Sequence, residues 1–153
     1  MKTNEGIAVK KRGAFVVVAA LTIGGSAACA SGQAATNPVL PSGTAKITID
    51  GSDLPVTHAV HCAPAEQAFT TITTGDGAAG TTMMVSNAGK LTVEYVRIRN
   101  LNGFSGDYNR GLGGEGATVG LSGATYQITG VARGYGPGSP SPTTAPFSIK
   151  LSC

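Results

Sequence analysis

The chain has 153 residues, enough for one ordinary domain, with 11 Lys and Arg against 8 Asp and Glu and a formal net charge of +3. Residues 1–28 hold four of the basic groups and one of the acidic, which leaves seven of each; that neutral remainder has no surplus of cations for phosphates, which excludes a nucleic-acid binder. Charged residues are 12% of the chain, too few for a charge-rich disordered protein, and 23 glycines with 5% aromatics point to short strands and tight turns.

Residues 1–28 have the organisation of an export signal. Lys10, Lys11 and Arg12 close a basic segment, and residues 14–23 (AFVVVAALTI) are apolar apart from Thr22. That run is too short to span a bilayer, which needs ~20 residues, but it fits the apolar region of a signal peptide. Small residues come next, and Ser26-Ala27-Ala28-Cys29 resembles a bacterial lipobox, with Ser26 where Leu is usual. The resemblance implies a diacylglyceryl group on the Cys29 sulfur and cleavage before Cys29. Cleavage by an ordinary signal peptidase after Ala28 or Ala30, with no lipid, is the alternative.

Residues 29–43 read as a lipidated N-terminus and a flexible linker: they are small, polar and Pro-bearing, without charge or period. Such a tether reaches roughly 20 Å. Residues 44–153 read as one β-rich domain. Ala45, Ile47 and Ile49 share one face of a first strand, and Asp50-Gly51 supplies a turn. Val56, His58, Val60 and Cys62 are expected on one face of a second strand. Further strands are expected over 69–73, 82–86, 91–98, 125–131 and 147–152, separated by turn-forming residues at 75–77, 87–89, 102–103 and 134–142. The β-branched run Thr70 to Thr74 favours a strand over a short helix at 65–72. The expected fold is mainly β, a small antiparallel β-sandwich or a partly open β-barrel.

Three cysteines in an exported chain leave one over. Export places Cys62 and Cys153 where disulfides persist, and each closes a predicted strand, so a Cys62–Cys153 bridge is expected, with Cys29 left for the lipid.

These pieces together resemble the 19 kDa lipoprotein antigens of mycobacteria. The likeness rests on the lipobox-like Cys29, the Thr/Ala/Gly/Pro tether, Ile47-Thr48-Ile49-Asp50-Gly51, Val56-Thr57 and Cys62. It continues in Asn100-Leu101-Asn102-Gly103, Tyr126-Gln127-Ile128-Thr129-Gly130 and the closing Phe147-Ser148-Ile149-Lys150-Leu151-Ser152-Cys153. Residues 109–116 have no counterpart in the family pattern. The resemblance implies an envelope lipoprotein on the outer side of the cell membrane, surface-exposed or shed. Its acylated N-terminus would be sensed by host innate receptors for bacterial lipopeptides. It implies no enzymatic activity and no cofactor.

Other chemistry in the chain is weak. Gly111-Leu112-Gly113-Gly114-Glu115-Gly116 matches G-x-G-x-x-G, but residues 117–123 (ATVGLSG) do not favour a helix, so a flexible loop is expected rather than a dinucleotide site. His58 and His61 lie three apart, on opposite faces of a strand, which argues against a shared metal. Ser105 lacks the G-x-S-x-G frame of a hydrolase nucleophile. No catalytic, metal or cofactor residues are therefore assigned. Arg97, Arg99 and Arg110 together are candidates for an anionic glycan or lipid headgroup, against a plain solvated strand face. The leading reading is a lipid-anchored envelope protein that acts by contact with an envelope glycan, lipid or host receptor. The rivals are a carrier of an apolar ligand, which needs a cavity of ~300 Å³ or more, and a secreted enzyme.

Overall fold

A computed structural model describes residues 39–153. The expected leader, Cys29 and the first part of the tether lie outside them. Ten strands make up one antiparallel sheet, and no helix among the described residues is long and apolar enough to cross a membrane.

β1 (Thr44–Ile49) buries Ala45, Ile47 and Ile49 and turns Lys46 outward. Asp50 and Gly51, both at positive φ (49° and 74°), form the two-residue turn whose twist matches the strands it joins, and β2 (Ser52–Asp53) pairs back on β1. The chain then changes partner. Leu54 and Thr57 still bond β1, the Leu54 N–H donating to the Ile47 carbonyl and Thr57 exchanging two bonds with Ala45. β3 (Val60–Cys62) pairs instead with β4 (Phe69–Gly75). A continuous strand over 56–62 with one apolar face is thus not what forms. Val56 and His58 are exposed, because a segment that hands over from one strand to another must bend between them, and the bend breaks the alternation.

β5 (Gly80–Ser86), β6 (Thr92–Leu101) and β7 (Phe104–Asn109) continue the sheet as hairpins. β9 (Thr125–Tyr135) pairs with β10 (Thr143–Ser152) on one edge; its other edge takes β8 (Thr118–Ser122) along the first half and β7 along the second. The order is β2-β1-β10-β9-β7-β6-β5-β4-β3, with β8 beside β9. Its two ends, β2 and β3, are consecutive in the chain, so residues 52–62 bond β1 with one half and β4 with the other. The sheet curls into a partly open barrel, one of the two forms expected, and not a sandwich. The Cys62–Cys153 disulfide ties this closing segment to the end of β10, with the Cα atoms 5.9 Å apart.

The core fills the concave side: Ile47, Ile49, Ile72, Met83, Val85, Val96, Ile98, Ile128, Ile149 and Leu151 are all buried. Val93 is buried with Val96 and Ile98, whereas strict alternation puts them on opposite faces. The register supplies the reason: Val85 faces Val93 and Met84 faces Tyr95, so Glu94 is an extra residue, a β-bulge that re-phases the strand. Two glycines bring β7 and β9 together. A Cβ on Gly134 would overlap the backbone of Ser105 and Gly106, and one on Gly106 would meet the Arg133 carbonyl oxygen at 2.6 Å.

Candidate functional site

The missing side chains of Gly106 and Gly134 let the sheet bend, and on its convex side this bend presents a row of charge. Cross-strand partners place Arg97 of β6, Asp107 of β7 and Arg133 of β9 side by side. One residue pair further along, Arg99, Ser105 and Tyr135 make a second row, Ser105 lying opposite Tyr135. With strands ~4.8 Å apart and same-face residues ~6.8 Å apart, these side chains frame an area of roughly 10 by 7 Å. An open depression at this place is lined by Arg97, Arg99, Ser105, Asp107, Arg133 and Tyr135.

Asp107 is the hub. Its Oδ1 accepts from Arg97 Nε at 2.9 Å and from the Tyr95 hydroxyl at 3.2 Å. The Arg97 guanidinium lies 5.4 Å from the Tyr95 ring centre, close enough for a cation–π contact. Partial burial, then the Asp107 charge, push the Tyr95 phenol above its ordinary range, and the bond to Asp107 raises Arg97 further. Arg97 and Tyr95 are therefore a fixed wall. Arg99 reaches the Asp76 carbonyl through Nη2 at 3.2 Å, while its buried Nε has no hydrogen-bond partner. The Asp76 carboxylate is occupied by the amides of Ala78 and Ala79, which hold it below the usual carboxylate range.

Arg110, grouped with Arg97 and Arg99 in the sequence, stands apart. It donates from Nη1 to Glu94 Oε1 at 2.8 Å, and its amide bonds the Glu94 carbonyl, so it clamps the bulge. Arg133 takes its place in the arginine group, with Tyr135 beyond it. The sequence reading missed both because residues 134–142 look like a turn and β7 was not recognised between β6 and β9. The alternation of Phe104, Gly106 and Tyr108 after the Asn102-Gly103 turn was the available signal.

The remaining candidates are dispersed. His58 and His61 are both exposed, on the closing segment and on β3, and Cys62 is in the disulfide. Among the described residues no three His, Cys, Asp or Glu side chains gather to hold a metal. Residues 111–116 form an exposed loop between β7 and β8, with Gly111, Gly113 and Gly114 at positive φ; the next element is a strand and not a helix. The Ser105 hydroxyl oxygen accepts the Asn100 amide at 2.8 Å. An open, largely apolar cleft of about 330 Å³ lies at one end of the barrel, lined by Ile47, Leu54, Pro55, Ala79 and Leu101 among others.

Residues 38–153 match the model of the family described as Mycobacterium 19 kDa lipoprotein antigen. A protein of Mycobacterium avium subsp. hominissuis named as a lipoprotein is 37% identical over 147 residues, covering 95% of this chain and 97% of its own. A second protein so named, from Mycobacterium indicus pranii, is 36% identical over 118 residues, covering 76% and 83%. Lipoprotein LpqH of Mycobacterium bovis is 31% identical over 159 residues, covering 94% and 99%.

Proposed function

The chain belongs to the Mycobacterium 19 kDa lipoprotein antigen family, a family of lipoproteins and not one described by an enzyme activity, and from this premise we propose a lipid-anchored protein of the outer cell-membrane surface that acts by binding. Cys29 carries the anchor, as a thioether from its sulfur to a diacylglyceryl group, after removal of residues 1–28. Two or three acyl chains meet the requirement for stable attachment that a single chain does not. The observation that carries this reading is the state of the cysteines. Of the chain's 3, Cys62 and Cys153 are joined to each other, which leaves Cys29, at the end of Ser26-Ala27-Ala28, for modification.

The acylated N-terminus is the ligand for host innate receptors of bacterial lipopeptides, so that activity belongs to the lipid and its first residues rather than to the barrel. The barrel is a contact module without catalysis. Its strand carboxylates are paired with cations, Asp53 with Lys46, Glu94 with Arg110 and Asp107 with Arg97. A second reading, carriage of an apolar ligand, draws on the cleft beside Leu54 and Leu101. Native mass spectrometry of detergent-extracted protein supports it if a lipid other than the anchor co-purifies in stoichiometric amount.

Replacing Cys29 by Ala tests the main reading. The variant is expected to leave the membrane fraction and to lose receptor signalling while keeping its disulfide and its far-UV spectrum. A Cys29→Ala protein that stays on the membrane and signals as before refutes it.

A further inference from the structure

We infer that the frame formed by Arg97, Arg99, Asp107, Arg133 and Tyr135 is a binding site for a phosphorylated sugar, free or as the headgroup of a larger molecule. The site is separate from the lipid anchor and goes beyond a general contact role. Three of the domain's seven cationic side chains meet here on two strands that flank β7. Arg97 is committed to Asp107. Arg133 is exposed and has no hydrogen-bond or ion-pair partner among the described residues, and the Arg99 Nε is buried without one. Arg99 and Arg133 both line the open depression, where the guanidinium N–H groups they present to it can donate to an incoming anion. Two guanidinium groups approaching from different strands suit the several oxygens of a phosphate.

The rest of the frame asks for more than a bare anion. Both bonds to Asp107 fall on Oδ1, so Oδ2 is left to accept from a ligand hydroxyl. Its negative charge also opposes a uniformly anionic polymer laid across the row. The Ser105 oxygen already accepts the Asn100 amide, so its hydroxyl proton is available to donate. Tyr135 is 54% exposed beside these groups, a flat face on which a sugar ring can stack. A ligand with one anionic end and a hydroxyl-bearing ring satisfies every part of the frame, and its length fits a span of roughly 10 Å.

The test titrates glucose 6-phosphate into the full lipidated chain in a non-ionic detergent, by calorimetry, with glucose and inorganic phosphate titrated separately. Saturable binding of glucose 6-phosphate, tighter than of either fragment, is expected. Arg133→Gln and Arg99→Gln should weaken it about tenfold, Tyr135→Ala should weaken it too, and Arg110→Gln should leave it unchanged. Arg133 has no partner to lose, so its variant keeps the wild-type melting temperature and reads binding alone. Glycerophosphoinositol in place of glucose 6-phosphate separates the sources: tighter binding assigns a lipid headgroup, weaker binding a free sugar phosphate. No saturable binding, equal binding of glucose or inorganic phosphate, or an Arg133→Gln variant that binds like wild type overturns the proposal.

Discussion

Removing the disulfide should destabilise this barrel as much as a large core truncation does, and the topology sets the size of the effect. β3 is three residues long and pairs with β4 on one side, so the closing segment holds β1 and β4 together through few hydrogen bonds. The bridge adds a covalent tie from that segment to the end of β10 across a sequence separation of 91 residues. Chain-entropy arithmetic for a loop of this length gives about 4.6 kcal/mol at 25 °C. A domain of this size is stable by ~5–15 kcal/mol, so the double variant Cys62→Ser/Cys153→Ser should keep between about a tenth and two-thirds of its stability. With an unfolding entropy of ~2.1 cal/mol/K per residue, the melting temperature should fall by roughly 15–20 °C. The assay is urea denaturation followed by far-UV circular dichroism, since the chain has no Trp. Reduction of the wild type should give the same shift, with a steeper dependence on urea, because the unbridged denatured chain exposes more surface. A loss below about 2 kcal/mol would refute the reasoning, because the denatured chain would not then be the state the bridge constrains.

Gly134→Ala should destabilise by about 2 kcal/mol or more, since the added methyl overlaps the backbone of β7, whereas Gly120→Ala, where a Cβ meets nothing, should be nearly neutral; thermal melts of the pair decide. The turn before β4 carries Gln67 and Ala68 at φ 47° and 69°, with Glu66 and Phe69 exchanging two hydrogen bonds across it, so Ala68→Gly relieves a left-handed residue and should stabilise by about 0.5–1 kcal/mol in the same melts. Asp53 is held below the usual carboxylate range by the Thr48 hydroxyl and then by Lys46, and Asp76 by the amides of Ala79 and Ala78. Their folded-state values lie below the unfolded ones, so the stability they contribute is present above ~pH 3.9 and is lost as the pH falls through the folded values. Urea midpoints measured down to pH 2.5 should therefore decline at the acid end, and less steeply in Asp53→Asn and Asp76→Asn.

Local chemistry carried most of the strand pattern. The alternation in Ala45, Ile47 and Ile49, the Asp50-Gly51 turn and the β-branched run at 70–74 are each decided by a few neighbouring residues, and all appear where the sequence puts them. What was not legible depends on distant partners. Residues 56–62 have the spacing of one strand, yet bond two different strands, and no local signal marks the handover. β7 is poor in strand-forming residues because Gly106 must lie against Gly134, a requirement visible only once β9 is beside it. The bulge at Glu94 likewise belongs to the pairing with β5. The arginine site shows the same division. Arg97 and Arg99 are on one strand and could be grouped from the sequence, whereas Arg133 joins them across two strands and Arg110, near in sequence, turns away to Glu94.

The intact mass of the protein extracted from its native membrane in detergent, before and after reduction, addresses the anchored lipoprotein directly. A chain that starts at Cys29, is heavier by two or three acyl chains and gains two hydrogens on reduction is the result predicted. An unmodified chain starting after Ala28 or Ala30 would contradict it: the protein would be secreted, the receptor role would lose its chemical basis, and function would rest on the barrel's surface alone.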